Sequence, residues 1–102
     1  MKLTEANRIG DMAEHYAITW LWDNGYEVFK NCGCTGAIDL IAISKTGKTR
    51  LIDVKSYTVP KGSKERTRKP SGVRSKEQKK LGVELLHYNI NTRKLKFVEH
   101  EK

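Results

Sequence analysis

A chain of 102 residues with 20 Lys+Arg against 12 Asp+Glu carries a formal charge of +8, and its length suits one compact domain, residues 1–102, with a small core and little room for a second. That charge, with a pI near 9.6, points to a polyanionic partner, nucleic acid ahead of membrane. No apolar run approaches the roughly 20 residues that span a bilayer, and the opening stretch MKLTEANRIGDMAEH lacks the apolar segment of a secretion signal, so an intracellular protein without membrane association is expected.

From Thr4 to Asn24 the residues Ile9, Ala13, Tyr16, Ala17, Trp20 and Leu21 recur at helical spacing, with Thr4 as N-cap and Asn24-Gly25 as stop, which predicts one long amphipathic helix. YEVFKNC reads as a short strand broken by GCTG at 33–36. The arms AIDLIAIS and TRLIDVKSY then flank Lys45-Thr46-Gly47-Lys48, whose glycine suits a tight turn, so they are expected to pair antiparallel. From Thr58 to Lys80 the apolar pattern disappears. Nine basic residues there, Lys61, Lys64, Arg66, Arg68, Lys69, Arg74, Lys76, Lys79 and Lys80, face only Glu65 and Glu77, a net of +7 out of the total +8.

Pro60, Gly62, Pro70 and Gly72 mark residues 58–75 as a basic loop. Ser75 followed by Glu77 and Gln78 begins a short helix, SKEQKKLG. VELLHYNI, the polar NTRK and LKFVEH form a second hairpin. The order is therefore αβββαββ, an α/β fold in which one mixed sheet is flanked by helices.

The first hairpin raises a question of chemistry, because Asp39, Asp53 and Lys55 interrupt runs of Ile, Leu and Val. Alternation along a strand sets Asp39 with Ile41 and Ile43, and Asp53 with Lys55. A short turn lets Asp39 and Asp53 approach, directly opposed residues having Cβ atoms about 4.5 to 5.5 Å apart. Opposed like charges destabilise a sheet. A divalent cation relieves them, since one or two carboxylates with water and a substrate phosphate describe a Mg²⁺ site, beside which Lys55 can orient or deprotonate a water. The plain alternative is that Asp53 and Lys55 are solvated edge residues, and that Asp39 ends its strand or caps a turn.

The order of a helical Glu, G-x-I-D-L-I-A and L-I-D-V-K-S-Y resembles the PD-(D/E)XK nuclease superfamily, most closely its archaeal-type and phage Holliday junction resolvases, over roughly Gly10 to Val98. The resemblance implies a restriction-endonuclease-like core. It implies further that Asp39 and Asp53 bind Mg²⁺, or Mn²⁺ in its place, with the carbonyl of Val54 and with Glu14 of the first helix, and that Lys55 assists the attacking water. Gln78 matches the glutamine of the family's later helix, a weaker correspondence, and Ile38 stands where many members have proline. Glu14 lies at the border of the apolar stripe, within reach of a site at the sheet.

The expected activity is structure-specific cleavage of branched DNA, leaving 5′-phosphate and 3′-hydroxyl ends, in recombination and repair. A homodimer is expected because a four-way junction has two strands to cut and a C2 pair of sites matches it. A phage origin suits so short a nuclease and would put it in host cytoplasm. In this reading Lys61, Lys64, Arg66, Arg68, Lys69, Arg74 and Lys76 contact DNA phosphates.

Two other readings stand beside this one: a nuclease of the same superfamily for a flap, nicked or site-specific duplex, and a basic nucleic-acid-binding module without chemistry. Cys32 and Cys34 lack the second ligand pair of a structural zinc site and fit a reducing compartment. His15, His87 and His100 are scattered. Tyr16 and Trp20 read as core rather than as a base-stacking platform, with Trp22 on another face as a candidate interface residue.

Overall fold

The computed structural model describes residues 5–33, 36–58 and 74–98. Its elements run α1 (Glu5–Asp23), β1 (Glu27–Lys30), β2 (Leu40–Ile43), β3 (Thr49–Tyr57), α2 (Lys76–Leu81), β4 (Val83–Asn89) and β5 (Leu95–Phe97), the αβββαββ order expected from the sequence. The five strands form one sheet in the order β1-β2-β3-β4-β5. All neighbours are antiparallel except β3 and β4, which run parallel, because the connection containing α2 returns the chain to the same end of the sheet.

Helix α1 lies on one face of the sheet through Ala13, Ala17 and Leu21, spaced by one turn each and almost completely buried. Small side chains at the first two positions let the helix approach closely. Leu21 and Ala17 pack with Leu40 and Ala42 of β2, Ile52 of β3 and Leu86 of β4, while Trp20, Tyr26, Val28 and Phe97 close the edges of this cluster. The helix ends in a Schellman motif: Tyr26 N–H donates to the Leu21 carbonyl at 3.0 Å and Gly25 N–H to the Trp22 carbonyl at 2.9 Å, with Gly25 at φ 86° where a Cβ would be strained. Trp22 is exposed, whereas Trp20 sits 5.8 Å from Phe97, in line with the separate faces expected for them.

The first hairpin forms in the register Leu40↔Ile52 and Ile43↔Thr49, turned at Gly47 with φ 87°. Alternation along β3 puts Arg50, Ile52 and Val54 on the α1 face, and Leu51, Asp53 and Lys55 on the other. Val83 and Leu85 of β4 are buried on that second face, and α2 packs against β4 there. In the second hairpin, the Asn89 side chain accepts from the N–H groups of Asn91 and Thr92, fixing the turn before β5.

Among the described residues no helix is long and apolar enough to cross a membrane. Thr4, Cys34, His100 and the expected phosphate contacts Lys61, Lys64, Arg66, Arg68 and Lys69 lie outside the described residues.

Candidate active site

The acidic pair forms where β2 begins. The strand was expected to include Asp39, but it starts at Leu40 and Asp39 occupies a bend just before it. The reason is a slip of one residue in the ladder: Asp39 N–H donates to the carbonyl of Ile52 at 2.8 Å, although Ile52 is the register partner of Leu40. Two consecutive residues thus face one, as in a β-bulge.

Asn31, just beyond β1, fixes this irregular backbone from the other side. Its N–H donates to the Asp39 carbonyl at 2.9 Å, and its side-chain Nδ2 donates to the Ile38 carbonyl at 2.8 Å. Asp39 therefore does not simply share the face of Ile41 and Ile43. Its Oδ2 turns along the strand end and accepts from Val54 N–H at 2.8 Å, taking the place of a ladder acceptor that β2 no longer supplies. In a strand the N–H and C=O of one residue point to the same side, so the Val54 carbonyl is directed toward this same gap.

Asp53 comes from the middle of β3 and is only 6 % exposed. Its Oδ2 accepts from Gln78 Nε2 at 3.0 Å and pairs with Lys55 Nζ at 3.3 Å. The Lys55 side chain stays 53 % exposed, which leaves the ammonium accessible to a ligand. The two carboxyl groups are in hydrogen-bonding contact. Burial first, then that contact with Asp53, push the Asp39 carboxyl up to about 7, against the lowering effect of Val54 N–H, and the charges of Asp53 and Glu14 add to the rise.

Glu14, on α1, faces Lys30 of β1 with its Oε2 3.6 Å from Nζ, and its charge still reaches Asp39. Among the described residues no three His, Cys, Asp or Glu side chains gather closely enough to hold a metal ion by themselves. The hard-oxygen set present is the two aspartates and the Val54 carbonyl. That set fits Mg²⁺, which takes one or two carboxylates and completes its shell with water and substrate oxygens.

Gln78 reaches the site from α2, the short helix whose N-cap is Ser75. Arg74 is half-buried and its Nη1 donates to the Val83 carbonyl at 3.1 Å, so part of this expected phosphate contact is engaged by the main chain. Lys76 is exposed at the start of α2. Sequence reasoning did not identify Asn31, Ala37 or Lys30 as supports of the site. The spacing Ser75-x-x-Gln78 is a capping-box signature that was available, whereas the Glu14–Lys30 pair depends on how α1 crosses β1.

No protein-family model matches the sequence, and no curated protein matches it. Among solved structures, a bacterial homing endonuclease, I-Ssp6803I, superposes with a TM-score of 0.70 over 93% of this chain and 69% of that chain, at 20% sequence identity. At that identity the likeness is one of fold: this chain shares the α/β fold of that endonuclease.

Proposed function

We propose that the protein is a metal-dependent endonuclease hydrolysing DNA phosphodiesters, and that a four-way junction is its substrate. The observation that carries the first part is the Asp39–Asp53 pair: two carboxyl groups in contact, one raised to about 7, with one ammonium, that of Lys55, beside them among the described residues. Structural charge clusters normally end balanced, because an uncompensated buried charge costs several kcal/mol. Among the described residues Lys55 balances one of the two carboxylates, and a bound cation would balance the other in place of a proton.

Asp39, Asp53 and the Val54 carbonyl would hold Mg²⁺, or Mn²⁺ in its place, with Glu14, whose charge reaches Asp39, as a further carboxylate. Bound there, the ion supplies a Lewis acid for the phosphoryl oxygen and lowers the pKa of a coordinated water. Lys55, anchored on Asp53 and open to solvent, donates to a phosphate oxygen and orients the attacking water. Gln78 holds Asp53 as a neutral donor, so it fixes the carboxylate without neutralising it. The basic residues of 58–76 contact backbone phosphates, an interaction that weakens steeply with salt.

The junction as substrate and a homodimer as the working form rest on the sequence resemblance to resolvases and on the symmetry argument. The fold neighbour is a homing endonuclease, which keeps a second reading in view: a nuclease acting on linear, nicked or flapped duplex with the same residues. The test is incubation with an end-labelled mobile four-way junction, its linear arms, and flap and nicked controls, with Mg²⁺ or EDTA, beside Asp53→Ala. Paired, metal-dependent nicks in the junction alone are expected, from a protein that light scattering finds dimeric on the junction. Equal cutting of linear duplex selects the second reading. Salt-sensitive binding without any cutting would leave a non-catalytic basic module.

A further inference from the structure

One carboxamide at the start of α2 serves two structures at once. Ser75 N–H donates to Gln78 Oε1 at 3.0 Å, and Ser75 Oγ accepts from Gln78 N–H at 3.1 Å, forming a capping box. The other end of the same side chain, Nε2, donates to the Asp53 Oδ2 at 3.0 Å and to the Ala37 carbonyl at 3.1 Å. A primary amide has two N–H donors and one carbonyl, and all of them are engaged. Turning the group over would press its oxygen against a carboxylate and a main-chain carbonyl while facing its NH₂ to another N–H. The Ser75 N–H therefore decides which end of Gln78 meets Asp53.

The two acceptors of Nε2 belong to different segments. Asp53 lies in mid-β3, and Ala37 stands two residues before Asp39 in the bend that precedes β2. One neutral donor thus ties the segment carrying one carboxylate to the other carboxylate. In an ordinary capping box the N-cap N–H only completes the first turn of the helix. Helix α2 has six residues, too few to hold itself together without tertiary contacts, so its N-terminal hydrogen bonds transmit position as well as satisfying donors.

Resting on the metal reading above, we infer that Ser75 is a positioning residue of the cation site, acting through its main-chain N–H on Gln78 and thereby on Asp53. Its side chain is dispensable for this role and its N–H is not.

The backbone offers a clean separation of the two. Ser75 has φ −64° and ψ 165°, angles that proline adopts without strain. Ser75→Pro deletes the N–H together with the Oγ cap, and Ser75→Ala deletes the cap alone. Both should lower the thermal midpoint. Mn²⁺ affinity, measured by calorimetry and by the electron paramagnetic resonance of free Mn²⁺, should fall about tenfold in Ser75→Pro, the lower range for outer-shell partners of a metal site, and less than about threefold in Ser75→Ala.

Gln78→Leu, which leaves the turn intact but has neither donor nor acceptor, should match Ser75→Pro, and adding Ser75→Pro to Gln78→Leu should cost no further affinity, since both cut the same connection. Equal affinities of the proline and alanine variants would overturn the inference, as would a full additional loss in the double variant. Should Ser75→Pro fail to fold, an unchanged affinity in Gln78→Leu overturns it alone. Absence of Mn²⁺ binding in the wild-type protein would instead remove the metal reading on which it stands.

Discussion

Two ionic clusters hang from the same strand, three residues apart and on opposite faces of the sheet, and they are built on opposite principles. On the α1 face Arg50 forms a bidentate pair with Glu84, Nε to Oε2 at 2.9 Å and Nη2 to Oε1 at 2.7 Å, while Nη1 reaches the Tyr26 hydroxyl at 3.1 Å. The guanidinium also lies 3.7 Å from the centre of the Phe97 ring. One positive charge meets one negative charge, and the hydrogen bonds that Arg50 donates to Glu84 hold it protonated even more firmly than usual. On the opposite face Asp39 and Asp53 touch, Lys55 answers one of them, and a proton would have to complete the balance at neutral pH. The first cluster closes on itself and locks β3 to β4. The second, among the described residues, does not close in this way.

If this contrast is right, substitutions should separate stability from activity in opposite ways at the two clusters. The largest effect belongs to Asp53→Asn. It keeps an acceptor for Gln78 Nε2, removes the like charge facing Asp39, and takes away a proposed metal ligand. Cleavage should drop by about 10³-fold, the several kcal/mol that metal-based charge stabilisation supplies, while the thermal midpoint stays level or rises. A fall in midpoint parallel to the loss of activity would show that Asp53 serves the fold. Next comes Lys55→Met, which keeps the stem. Turnover should fall by about 10²-fold, as for loss of one donor to a developing charge, with Mn²⁺ binding retained. Its ion pair is half-exposed, so stability should move by less than about 1 kcal/mol. Loss of metal binding instead would reassign Lys55 to holding Asp53 in place.

How far the two clusters were legible in the sequence follows from how local their determinants are. The period of Ala13, Ala17 and Leu21, the stop at Gly25, the turn at Gly47 and the Ser75-x-x-Gln78 cap are each set within a few residues, and the αβββαββ order follows from them. The approach of Asp39 to Asp53 was readable as well, because hairpin register follows from a short turn. Its route was not. The bend at Asp39 depends on hydrogen bonds from Asn31, just beyond β1, and to Ile52 of β3, and the arm AIDLIAIS, read as a regular strand, put Asp39 inside β2. The dual use of Gln78 was hidden for the same reason, since Ala37 is 41 positions away in sequence. The Arg50 cluster drew no attention at all: nothing in L-I-D-V-K says that the arginine before it will find Glu84, 34 residues on.

The closed cluster supplies the converse test. Glu84→Ala leaves Arg50 with Tyr26 and the Phe97 ring but without its counter-charge, and loss of hydrogen bonds to a charged group costs about 1.5–3 kcal/mol. For a chain of this size that is on the order of 10 °C in midpoint. The specific activity of the protein still folded should be preserved. Inactive but thermally unaltered Glu84→Ala would erase the distinction between the clusters.

The smallest effect is the one that reads the open cluster most directly. The Asp39 carboxyl titrates at about 7 in the folded protein against 3.8 for the free side chain. A group whose folded pKa is raised contributes stability that is fully present below the unfolded pKa and is lost as pH rises through the folded value. Metal-free protein should therefore gain stability from this group on going from pH 8 to pH 5.5. The carboxyl is about half-exposed to solvent screening, which reduces the gain to about 1 kcal/mol, a few degrees in midpoint. In Asp39→Asn that part of the slope should vanish, so the informative quantity is the difference between the two proteins rather than either curve. In the proposed metal site Mg²⁺ would compete with the proton for the same oxygens and should raise the wild-type midpoint more at pH 8 than at pH 5.5. Identical pH slopes in wild type and Asp39→Asn, measured by scanning calorimetry without metal, would mean that the two carboxyl groups are already balanced and that the second cluster is as closed as the first.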